Sequence, residues 1–234
     1  MIKVIEKEHM GSSDLGWLQS QFHFSFAKYR NPNNIKFGVL RVLNDDVIQP
    51  KSGFDLHPHN DMEIISYIVD GEITHKDSMG NEETLKRGEV QYLSAGNGIY
   101  HSEHNLDQQN LLRLLQIWII PPRYNLPKLY GSKKFRHEDR KNTLLEIVSS
   151  TKGEAPIQIH QDVNIYVSEL DQDKEINFSI NQNRQVYFVQ IEGTSSINEQ
   201  IINMSNGAEI TNVNKLNIKA ISNSHFLFIE MEAL

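Results

Sequence analysis

The chain has 234 residues, 38% of them hydrophobic and 23% charged, with a formal net charge of −7 and no cysteine. That length can bury one large or two small cores, and the composition excludes wholesale disorder. The missing cysteines exclude disulfides, thiolate metal ligands and a cysteine nucleophile.

The first residues, MIKVIEKEHMGSS, carry charges where a signal peptide needs an apolar run. The most apolar window, LLRLLQIWII (111–120), is about half the length of a membrane span and contains Arg113 and Gln116. It reads as a buried strand, and a cytoplasmic protein with no membrane partner is expected. Lys and Arg are scattered. The densest basic stretch, KKFRHEDRK (133–141), is broken by Glu138 and Asp139 and reads as a solvated face, so no nucleic-acid partner is expected.

Strand patterns dominate along the chain. IISYIV (64–69), EVQYL (89–93), LLQIWII (114–120), VNIYVSEL (163–170), QVYFVQI (185–191) and HFLFIEM (225–231) are short and rich in β-branched and aromatic residues. Turn residues bound them: DG at 70–71, MGN at 79–81, RG at 87–88, EG at 192–193 and NG at 206–207. Turns this frequent point to an all-β sandwich or barrel. The best helical pattern is PKLYGSKKF (127–135), weakened by Gly131. The proline-rich stretch 121–135 reads as a link between two halves.

The halves resemble each other. ISYIVDGEITH leads to RGEVQYLSAG in the first, and VYFVQIEGTSSI leads to NGAEITNV in the second. Each has an apolar strand, an acidic-Gly turn, a second strand and a further Gly turn, as a duplication would leave. The expected domains are 1–125 and 126–234.

HPHNDME (57–63) raises the question of chemistry. In an extended strand, residues two apart share a face, so His57 and His59 point one way and Pro58 the other. His101 and Glu103, in GIYHSEHN, repeat the arrangement about 40 residues later. Two such strands facing each other bring three imidazoles and one carboxylate toward one ion. Those donors suit Fe, Mn, Co, Ni, Cu or Zn. Four protein ligands on an octahedral ion leave two open positions. An isolated His-x-His is more often a surface or hydrogen-bonded pair than a ligand pair; two same-face pairs, each beside a turn, favour the metal. GNGIYH is no phosphate loop, because no helix pattern follows it, and no nucleophile elbow is present.

These residues resemble the pirin family of the cupin superfamily. GFDLHPHNDMEIISYIVDGEITHKDSMGN and GEVQYLSAGNGIYHSEHN look like the family's first domain. GWLQSQFHFSFAKY, GVLRVLNDDVI, LLQIWI and IHQDVNIY resemble its other segments, so the likeness covers nearly the whole chain. It is closest to bacterial pirins that act as quercetin 2,3-dioxygenases. The resemblance implies an all-β bicupin of two jelly-roll domains: a metal-binding N-terminal cupin and a degenerate C-terminal one without metal.

The cupin motifs fall on His57, His59 and Glu63, and on Gly98, His101 and Asn105. Generic cupins take the carboxylate ligand from the first motif, pirins from the second. The resemblance therefore implies His57, His59, His101 and Glu103 as ligands, with Glu103 also a general base and Glu63 a structural hydrogen-bonder. Fe(II) is the expected ion, with Ni, Co, Mn, Cu and Zn compatible. The implied substrates are a flavonol such as quercetin and O2, the products a depside and carbon monoxide. Some pirins are regulators, so a metal-dependent module that binds a protein partner is the alternative.

The same offsets applied to the second half give Ser179, Asn181, Ala220 and Ser222, none a good ligand. His75 reads as a hydrogen-bonded turn residue, His104 as pointing away from His101, and His23 and His137 as surface or loop residues. Asn60, Asp55, Leu56 and the run Gln21-Phe22-His23 depart from the family's usual residues near the expected pocket mouth.

Overall fold

The computed structural model describes residues 1–233 and is built almost wholly of strands. The chain divides into two units. One holds Gly11–Phe135 with Ile159–Gln161. The other holds Met1–Met10, Arg136–Gln158 and the chain from Asp162 onward.

Each unit contains a seven-stranded and a four-stranded antiparallel sheet. In the first unit the large sheet runs Leu129–Lys133, Val90–Ser94, Glu63–Asp70, Leu112–Ile119, Leu40–Ile48, Leu18–Phe22 and Gly11–Asp14. The small sheet runs Ser52–His59, Ile99–Asn105, Glu72–Asp77 and Glu82–Lys86. In the second unit the large sheet runs Ile2–Ile5, Gly207–Ile210, Arg184–Glu192, Ser224–Glu232, Val163–Leu170, Leu145–Ser150 and Ile157–Ile159, the last residue of which is grouped with the first unit. Its small sheet runs Glu175–Ser179, Lys215–Ala220, Ser195–Ile197 and Gln200–Ile202. The sequential connectivity matches strand for strand across the central positions, so the faint repeat in the sequence is a repeat of topology.

Burial explains the two kinds of strand pattern. Central strands of the large sheets are covered on both faces and read as unbroken apolar runs, as in Glu63–Asp70 and Ser224–Glu232. The small sheets alternate: Ile99–Asn105 and Lys215–Ala220 bury every second residue. Gly71 and Gly193 occupy corresponding turns, with φ of 74° and 71°. A Cβ on Gly71 would sit 2.3 Å from the Leu111 carbonyl oxygen, and one on Gly193 would sit 2.0 Å from that of Asn223. Both turns therefore require glycine.

The stretch 127–135 corrects the sequence reading. It is not helical: Leu129–Lys133 is an edge strand, paired from Leu129 opposite Ser94 to Lys133 opposite Val90. Gly131 disfavours a helix there, and the neighbouring strand offers an open hydrogen-bonding edge. Among the described residues the helices are two single 3-10 turns, Lys7–His9 and His137–Asp139.

Candidate metal centre

The HPH strand (Ser52–His59) and the HSE strand (Ile99–Asn105) lie side by side, antiparallel. His101 pairs with His57, and Ile99 with His59. The register then slips, so Glu103 faces Phe54 rather than Asp55. The bulge lies at Asp55 and Leu56, two consecutive residues that both point to solvent. It lets Phe54, His57 and His59 all face inward. It also places the Asp55 carbonyl where His57 Nδ1–H donates to it at 2.7 Å, leaving Nε2 of His57 to face the site. Gly53 permits the close approach: a Cβ there would lie 2.3 Å from the Glu103 carbonyl oxygen and 2.6 Å from His104 Cα.

The side chains converge. Ligand atoms of His57, His59 and His101 all lie within 4.8 Å of one another. So do those of His75, His101 and Glu103. Three of the four expected ligands thus form one group, and Glu103 joins through an overlapping group centred on His101. The imidazole of His101 is 1% exposed, and neither of its ring nitrogens has a hydrogen-bond partner. Burial pushes the His59 imidazole down to about 4 and that of His101 to about 3, and the neighbouring imidazoles push the same way. Both are therefore neutral at pH 7, the form that donates to a metal.

A row of polar residues crosses the inner face of the large sheet beneath these groups. Asn44 pairs with Gln116, Gln116 with Ser66, and Ser66 with Gln91. Gln116 Nε2 donates to Glu103 Oε2 at 2.7 Å, and the Ser66 hydroxyl donates to Glu103 Oε1 at 3.3 Å. Trp118 Nε1 donates to Gln116 Oε1 at 3.4 Å, which keeps the amide's NH2 toward Glu103. Gln91 Nε2 lies 3.1 Å from His75 Nδ1, and the other nitrogen of His75 lies 3.2 Å from Asp77 Oδ2. His75 is fully buried and stacks on Tyr130. The row sits between two apolar clusters, one around Ile68, Ile73 and Leu112, the other around Ile64, Leu93 and Ile99. Sequence reasoning missed this row, although a signal for it exists: a single polar side chain interrupts each of the apolar runs IISYIV, VQYL and LLQIWII.

Glu63 lies elsewhere. Strand alternation puts it on the opposite face from Ile64 and Ser66. Its Oε1 accepts from the Tyr92 hydroxyl at 2.6 Å, from the His160 backbone N–H at 2.7 Å and from His160 Nδ1 at 3.1 Å; its Oε2 accepts from the Gln161 N–H at 2.9 Å. This carboxylate anchors residues 160–161. His104 points outward to Asp55, and His137 to Glu169. His23 lies in the bend after Leu18–Phe22, a loop position as the sequence suggests, but it is 1% exposed rather than at the surface.

In the second unit the strands Glu175–Ser179 and Lys215–Ala220 hold the places of the HPH and HSE strands. Their cross-strand pairs include Ile176 with Ile218 and Phe178 with Leu216. These pack with Phe188, Phe226 and Phe228, so hydrocarbon fills the space that imidazoles fill in the first unit.

A cavity of about 260 Å³ opens beside the histidines. His57, His59, Phe54, Trp118, Phe22 and Phe26 line it with several aliphatic and polar side chains. Trp118 meets His59 edge-on at 4.9 Å between ring centroids.

Comparison with known proteins fits this geometry. The chain is 37% identical over 231 residues to the quercetin 2,3-dioxygenase of Escherichia coli K12, covering 99% of both chains. The Pirin family profile matches residues 4–119, and that of the Quercetinase C-terminal cupin domain matches residues 146–231. The chain belongs to the pirin family. A pirin-like protein of Caulobacter vibrioides is 37% identical over 95% of this chain and 96% of its own. Among solved structures, the bacterial pirin YhhW of E. coli in complex with nickel(II) superposes with a TM-score of 0.94 at 35% identity, over the whole of both chains. The pirin fold thus carries two cupin units here, with the histidine cluster in the first.

Proposed function

We propose that this pirin is a metal-dependent dioxygenase that opens the central ring of a flavonol such as quercetin. The observation that supports it best is His101: a buried imidazole opposite His57, with both nitrogens unpaired, beside an apolar cavity. Buried polar atoms are rarely left without partners, and a divalent ion would use these. The donor set is imidazole and carboxylate, which fits a first-row transition metal. His57, His59, His101 and Glu103 would hold it. Bound there, the ion would supply Lewis acidity and a site that orients the flavonol and O2. Fe(II) and nickel(II) both suit these donors, and the nickel complex of YhhW supports a divalent ion.

The chain's own residues have three tasks. The cavity walls, rich in Phe and Trp, bind a flat aromatic body and exclude water. Glu103 takes the proton of the flavonol 3-hydroxyl; its Oε1, touched only by Ser66 at 3.3 Å, is the less firmly engaged oxygen. Gln116 holds the other oxygen at 2.7 Å and fixes the carboxylate's orientation. The overall change balances as flavonol plus O2 giving depside plus carbon monoxide. Two carbon–carbon bonds of the central ring break, C3 leaves as carbon monoxide, and both O2 atoms enter the products.

The test is aerobic loss of quercetin absorbance, with protein reconstituted separately with Fe(II), Ni, Co, Mn or Cu, and with His101→Ala as control. Turnover that needs metal and vanishes in the variant is expected. A bound ion without turnover under any metal would move the reading to a metal-dependent protein-binding module.

A further inference from the structure

The cavity lining includes Ser20, Asn44 and Asp46, which the reaction above does not use. On the strand Leu40–Ile48, Asn44 and Asp46 share the inner face, while Asp45 between them turns to the other side and pairs with Arg113 at 2.6 and 2.9 Å. Asp46 lies opposite Ser20 in the register, and Asn44 opposite Gln116. Asn44 is 3% and Asp46 2% exposed, and both line the cavity. Oδ1 of each is buried without a hydrogen-bond partner. Two acceptors left unpaired in one cavity wall are costly.

We propose that Ser20, Asn44 and Asp46 form a hydroxyl-recognition subsite, which makes the cavity selective for aromatic substrates carrying hydroxyl groups beyond the one that reacts. The surrounding Phe22, Phe54 and Trp118 accept a flat ring. The two free acceptors then take donors from that ring's edge, which an unsubstituted ring lacks. Burial, with the nearby Asp45 and Glu103 charges adding to it and the Ser20 hydroxyl opposing it, pushes the Asp46 carboxyl up to about 7. This subsite rests on the flavonol reading for its choice of ligand, but its test does not depend on turnover.

The experiment is anaerobic titration of the nickel-loaded protein with quercetin and with 3-hydroxyflavone. The second keeps the reacting hydroxyl and carbonyl and lacks the other hydroxyls. Quercetin is expected to bind at least about tenfold tighter, because a site built to hydrogen-bond a hydroxyl rejects the analogue that lacks it. Asn44→Leu and Asp46→Leu should bring the two ligands to within about threefold, and Asp46→Asn, which keeps an acceptor, should retain most of the preference. Nickel content and cooperative melting of each variant report that it is folded. Equal affinity in the parent protein, or a preference untouched by both leucine variants, overturns the subsite. If the preference is present and lost as expected while aerobic turnover is absent, the subsite stands and the dioxygenase reading falls. If turnover is present without the preference, the reverse holds.

Discussion

His101 faces His57 directly across the HPH and HSE strands, with ring centroids 4.4 Å apart and both nitrogens of His101 unpaired. His101→Ala should therefore remove the central donor shared by both histidine groups. Its loss in nickel or iron affinity should exceed the roughly 10–100-fold that removal of an outer hydrogen-bonding partner costs. Metal content after dialysis against a graded chelator checks this.

Gln116 tests the partner level. Gln116→Met keeps the volume but removes the donor to Glu103 and the acceptor from Trp118. We expect a fall of about 10–100-fold in metal affinity or in quercetin turnover, with little change in melting temperature. A variant that matches the parent in both would mean that Glu103 needs no such support.

Glu63 should behave in the opposite way. Glu63→Ala leaves the His160 and Gln161 N–H groups and the Tyr92 hydroxyl without their acceptor. Denaturant unfolding should report a loss on the order of 2–4 kcal/mol, while metal bound per chain stays at the parent value. Loss of the metal with stability intact would instead make Glu63 the carboxylate ligand.

Gly53 controls how closely the two strands approach. Gly53→Ala would drive a Cβ into the Glu103 carbonyl and the His104 backbone. We expect about 1–3 kcal/mol of destabilisation, accompanied by weaker metal binding, because the strands that carry both histidine pairs must separate. Thermal melting with and without nickel measures both effects.

His23 gives the metal-free protein a pH dependence. Burial pushes its imidazole down to about 4, with Asp45 opposing. In the unfolded chain an ordinary histidine protonates near 6.5. Between those values the unfolded state binds the extra proton, so this contribution to stability is complete above about pH 6.5 and declines as pH falls to about 4. The slope is about 1.4 kcal/mol per pH unit. His23→Gln should shrink the stability difference between pH 7 and 4.5 by about 2–3 kcal/mol. Urea titrations of the metal-free protein at the two pH values provide the measurement.

The sequence by itself determined the all-β class, because apolar runs of five to eight residues, several closed by Gly turns, leave little room for helical periodicity. It also determined the pairing of His57 with His59 and of His101 with Glu103, because period-two alternation is a local property of an extended chain. The tertiary structure decided the rest. That 129–133 is a strand depends on the free edge of Val90–Ser94, which no local pattern encodes. That Glu63 turns away from the histidines depends on which face of its strand meets the HSE strand. That His23 is buried depends on where the chain goes after Phe22. The polar row from Asn44 to Gln91 exists only because four strands, distant in sequence, fall into one register. Single polar residues in apolar strands signal burial with a partner; long-range strand pairing alone names the partner.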